Sequence, residues 1–79
     1  MNVEKIVNQL TVKNRVEFKL YSLTYVIENK DNMTVIYATA YPKNIKQYKN
    51  IEDLINNFMI YNEPLLNHDN RIIIIGGSE

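Results

Sequence analysis

Four consecutive isoleucines, Ile72 to Ile75, constrain this 79-residue chain more than any other segment. β-Branched side chains favour strands, and neighbouring strand residues point to opposite sides, so the run is expected in a strand covered on both faces. Arg71 precedes it, Gly76-Gly77 closes it, and Gly76 to Glu79 is expected as a frayed tail. Residues 1–79 suffice for a single small domain, since chains of this size bury only about 60–65 % of their unfolded surface. With no cysteine there is neither a disulfide staple nor a thiolate metal site, which fits a reducing compartment. Stability must come from one core, helped by self-association or a partner.

The rest of the chain alternates between two periods. Val3, Ile6, Val7 and Leu10 recur at helical spacing behind Asn2 as the expected N-cap, and Thr11 to Asn14 breaks the pattern. From Arg15 the period is two: Val16, Phe18 and Leu20, then Leu23, Tyr25 and Ile27 one residue out of phase. A tight turn at Tyr21-Ser22 absorbs the slip by joining two strands; a bulge in one long strand is the alternative. Asn29 to Asn32 is a second turn cluster, and Met33 to Tyr41 a third strand ended by Pro42. Pro42 to Asn50 is expected as a polar loop. Asn50 then caps a helix from about Ile51 to Met59, with Ile51, Leu54, Ile55 and Phe58 as its apolar stripe. Tyr61 to Pro64 is expected as a turn, Leu65-Leu66 as an apolar anchor and Asn67 to Asn70 as a polar loop. The expected class is α+β, a small antiparallel sheet with two helices in the order α-β-β-β-α-β.

Counted along the chain, Val26, Ile36, Ala38 and Ala40 fall on one phase, opposite Tyr25, Ile27, Val35 and Tyr37, and form a moderately apolar second sheet face. Two short helices cover one side of such a sheet. The remaining surface, Val26, Ile36 and Ala38 with Ile73 and Ile74 of the last strand, is therefore expected to bind a protein partner or a second copy as a homodimer. The alternative is a sheet that curls around its own helices.

Charge is balanced at nine basic and nine acidic residues, which argues against strong non-specific nucleic-acid binding, but it is polarised along the chain. Residues 1–50 hold eight basic against four acidic residues, and residues 51–79 hold one against five. Three lysines and two tyrosines without an acid lie between Tyr41 and Lys49. Lys43, Lys46 and Lys49 could steer an acidic partner, or with Tyr48 bind single-stranded nucleic acid. Phe, Tyr, Met, Ile, Asn and Lys supply 41 of the 79 residues, all with AT-rich codons, so a Lys/Tyr cluster carries less information than usual. His68 is the lone histidine, among Asn67, Asp69 and Asn70, and is expected in an exposed turn. A catalytic or metal role would need a nucleophile or second ligand that the sequence does not offer. Glu52-Asp53 suits the start of a helix rather than two-carboxylate catalysis, and Gly76-Gly77 lacks the Lys-Ser or Lys-Thr of a phosphate loop. No segment reaches the roughly 18–20 apolar residues of a membrane span, and Met1 to Leu10 carries Asn2, Glu4, Asn8 and Gln9 where a signal peptide needs an apolar core. The expected location is cytoplasmic, with no cofactor.

The stretches Glu17 to Ser22, Thr24 to Ile27 and Tyr48 to Ile60, with Glu63-Pro64-Leu65, resemble short uncharacterised α+β proteins of low-GC Gram-positive bacteria and of their phages and mobile elements. Tyr21-Ser22 stands where those proteins carry an Asn-Gly-like turn. The resemblance brings no activity with it, but it implies a mobile-element accessory protein, a group that includes small anti-CRISPR-like inhibitors of host enzymes. The leading expectation is a non-enzymatic protein-binding regulator or inhibitor that acts by occlusion. The runner-up is a nucleic-acid-binding regulator using the loop 41–49.

Overall fold

The computed structural model describes residues 2–75. Helix α1 (Asn2–Lys13) buries Val3, Ile6 and Leu10. It stops where Asn14 turns left-handed at φ 60° and donates its N–H to the Leu10 carbonyl at 2.8 Å. Asn2 lies inside the helix rather than capping it. The cap arrives from the other end of the chain: Asp69 Oδ1 accepts the Val3 N–H at 2.7 Å, and Asn2 Nδ2 donates to the Asp69 carbonyl at 2.9 Å.

Strands β1 (Arg15–Leu20), β2 (Leu23–Lys30) and β3 (Met33–Ala38) form an antiparallel meander. Each turn has two residues. Tyr21, at φ 57°, makes the first, and Asp31 and Asn32, both at positive φ, make the second. β4 (Lys46–Tyr48) extends the meander beyond β3, inside what the sequence suggests is only loop. β7 (Ile72–Ile75) pairs antiparallel with the other side of β1, so the strand order is β4-β3-β2-β1-β7. Between β4 and β7 run α2 (Ile51–Asn57), a small hairpin of β5 (Met59–Ile60) and β6 (Glu63–Pro64), and a 3-10 segment over Leu65–Arg71. The order α-β-β-β-α-β holds for the larger elements. α2 ends at Asn57, two residues short of the expected Met59, and Asn50 caps it as expected, its Oδ1 accepting the Asp53 N–H at 2.8 Å.

α1 packs across β1 and β7, and α2 packs against the 3-10 segment and β4. Between these elements and the sheet lies one core of Val3, Ile6, Leu10, Val16, Phe18, Leu20, Ile27, Ile36, Leu54, Phe58, Leu65 and Ile72.

Register corrects the expected second face. A two-residue turn pairs Lys30 with Met33, so partners on β2 and β3 sum to an odd number, and even positions on β2 face the same way as odd positions on β3. Ile36 and Ala38 therefore share the helix-covered face with Ile27 and Tyr25, whereas Val26 shares the open face with Val35 and Tyr37. Counting phase straight through the turn inverts this. The expectation that the isoleucine run is covered on both faces also fails. β7 is an edge strand, Ile72 and Ile74 face the core, and Ile73 is 61 % exposed.

Candidate interaction surface

The two edges of the five-stranded sheet differ in chemistry. β4 is three residues long and carries Lys46, and a short charged strand is how natural sheets blunt an edge. β7 carries four isoleucines with no charge, proline or bulge. Its outward groups follow from register. Leu20 and Leu23 close a two-residue hairpin as a hydrogen-bonded pair, so Leu20, Phe18 and Val16 turn their backbone groups toward β2. Glu17 and Lys19 then bond to Ile75 and Ile73 of β7. That leaves Ile74 N–H, Ile74 C=O and Ile72 C=O facing outward, since the Ile72 N–H is donated to the Asp69 carbonyl.

Among the expected binding residues, Ile73 and Ile74 lie on this edge, one exposed and one packed on the core margin. Ile36 and Ala38 are buried on the helix side of the sheet, where both line a cleft beside the loop 41–49, and Val26, flanked in register by Glu17 and Tyr37, is 1 % exposed. Val26 therefore presents almost no surface to a partner.

Lys43, Lys46 and Lys49 are exposed, as is Tyr41, while Tyr48 leans on the core. Burial, and secondarily the carboxylate of Asp53, push the Tyr48 phenol above its ordinary pKa. Asp53 also accepts the Lys49 backbone N–H at 3.2 Å, so an acid sits at the end of the lysine run once the chain folds. Beside the loop lies a cleft of about 240 Å³ lined in part by Leu23, Tyr25, Tyr41, Ile45, Lys46 and Phe58. Desolvation, then Tyr61, raise the pKa of Tyr25 there.

His68, expected in an exposed turn, is buried. Its Nε2 lies 2.8 Å from the Ile60 carbonyl, which can only accept, so Nε2 carries the proton. In the neutral ring Nδ1 then accepts from the Tyr21 hydroxyl at 2.8 Å. The Tyr21 ring meets those of His68 and Tyr61 edge-on, at centroid separations of 5.5 and 5.2 Å. Tyr21 and Tyr61 are both turn residues at positive φ, a conformation costing a bulky side chain about 1–2 kcal/mol. This cluster ties two strained turns together. Among the described residues no group of three or more His, Asp or Glu side chains could hold a metal ion. Leu65 and His68, three residues apart, are both buried, and the 3-10 segment kinks at His68, where the backbone is non-helical at φ −100° and ψ 17°.

Comparison with protein families, curated proteins and solved structures finds no match for this chain. No helix among the described residues is long and apolar enough to cross a membrane.

Proposed function

We propose that this chain is a non-enzymatic protein-binding module, a small regulator or inhibitor that occludes a partner by docking it along β7. The observation supporting this reading is the contrast between the edges: β4 is short and charged, whereas β7 offers outward backbone groups beside the exposed Ile73. Main-chain hydrogen bonds to a sheet edge give affinity to an added strand, and side-chain contacts give it specificity. Lys43, Lys46 and Lys49 act on the approach of an acidic partner.

The test is affinity capture of the tagged protein from lysate of the source organism, with and without nuclease, run in parallel with Ile73→Lys. The expected result is a stoichiometric protein that survives nuclease and is lost with Ile73→Lys. Capture that disappears on nuclease treatment, and survives Ile73→Lys, would replace this reading with nucleic-acid binding by the loop 41–49.

A further inference from the structure

The β7 edge complements itself. We propose that β7 pairs antiparallel with β7 of a second copy of this chain, with Ile74 on the two-fold axis, joining two five-stranded sheets into one of ten. This rests on the reading that β7 is a docking edge and names the occupant.

Backbone, side chains and charge all fit a second copy in this register, and charge selects it over the next. With Ile74 opposite Ile74, the N–H of each donates to the C=O of the other, so both outward groups of that residue are satisfied reciprocally. A register centred on Ile73 would make as many bonds, from each Ile74 N–H to the Ile72 C=O of the other copy, with the Ile72 N–H already given to the Asp69 carbonyl, so backbone pairing alone does not decide between the two registers and charge does. Side chains agree, because Ile73 then lies opposite Ile75 of the second copy on the open face, and the 61 % exposed Ile73 gains an apolar neighbour. Charge agrees as well. Lys19 stands beside Ile73 and Glu17 beside Ile75, so each row across the joint has a lysine at one end and a glutamate at the other. Centring on Ile73 would put Lys19 at both ends of one row.

Self-pairing and capture of a foreign strand use the same groups and exclude each other. The dimer is the state in which the edge is covered, and a partner must displace the second copy. The joint is short compared with stable interfaces, which bury about 1,200–2,000 Å² in total, so the fraction of chains in the dimer rises with protein concentration.

The chain has no cysteine, so single cysteines report proximity cleanly. Ile73→Cys and Ile75→Cys chains are mixed and mildly oxidised. Positions 73 and 75 of opposite copies form a non-hydrogen-bonded pair about 4.5 Å apart at Cα, within disulfide range. Identical positions are about 8 Å apart in this register, outside that range. The expected result is a several-fold excess of covalent dimer in the mixture over either variant alone. On the unmodified protein, hydrogen exchange at the Ile74 amide is expected to slow as concentration rises. Strongest crosslinking by Ile73→Cys alone, or no mixed crosslink together with concentration-independent exchange, overturns the pairing. If self-pairing fails while Ile73→Lys still loses a captured protein, the edge docks a foreign partner. If Ile73→Lys loses nothing, the docking reading fails too.

Discussion

At the scale of single residues, the tyrosines and the one histidine decide more than their exposure suggests. His68 holds the Tyr21 turn and the β5–β6 hairpin through two hydrogen bonds, so truncating it leaves a buried carbonyl and a cavity. His68→Ala is expected to cost roughly 2–3 kcal/mol, and Tyr21→Phe, which removes one donor, about 1 kcal/mol. Urea titration reads both, and a His68→Ala variant as stable as the parent would make the cluster incidental. A second expectation concerns alkali. Tyr25 and Tyr48 have folded pKa values raised above 10.0, chiefly by burial. The native state therefore holds these protons more tightly than the unfolded chain, and their contribution is fully present below pH 10.0. It is lost as pH rises through the folded values. Denaturation midpoints should fall above pH 10.0, and the Tyr25→Phe/Tyr48→Phe variant should show a shallower fall.

Among the elements, α1 depends on a residue 66 positions away from the amide it caps. Asp69→Ala removes the acceptor for the Val3 N–H and a negative charge at the positive end of the helix dipole. Its cost is expected at about 1 kcal/mol, with Asp69→Asn intermediate, read by circular dichroism during thermal melting. Local sequence could not show this cap, because Asn2 is chemically suited to the role and only folding brings Asp69 to the helix. Elements with several repeats of their own period were legible: α1, β1 to β3, α2 and the isoleucine strand. β4 and the β5–β6 hairpin were not, because two or three residues do not repeat the two-residue strand period. The 3-10 segment was hidden by its polar composition, which masks the inward pair Leu65 and His68. The face assignment of Ile36 and Ala38 failed at one point, the parity change imposed by the Asp31-Asn32 turn. The candidate edge was half legible: Ile72 to Ile75 is plain in sequence, but strand order alone decides that it lies outermost with Ile73 uncovered.

Across the whole molecule, the lysine-bearing β4 edge and the proposed docking edge lie on opposite sides of the sheet. β4 and β7 are separated by four strand spacings, about 19 Å. Screening at physiological salt acts over about 8 Å, so Lys43, Lys46 and Lys49 cannot strengthen a contact made along β7 once it has formed. In the proposed reading their role is limited to orienting the approach, and Asp53 beside Lys49 and its neighbour Glu52 blunt even that. Neutralising the three lysines to Gln should slow association of a β7-docked protein at low salt and leave its dissociation rate unchanged. The slowing should vanish as salt rises. Ile73→Lys should do the reverse, speeding dissociation at every salt concentration while changing stability by less than about 0.5 kcal/mol, because the side chain is exposed. Surface-plasmon rates for the two variants across a salt series separate the roles. A lysine variant that dissociates much faster would move the contact from β7 to the β4 edge, and the cleft between Tyr41 and Phe58 would then be the surface to explain.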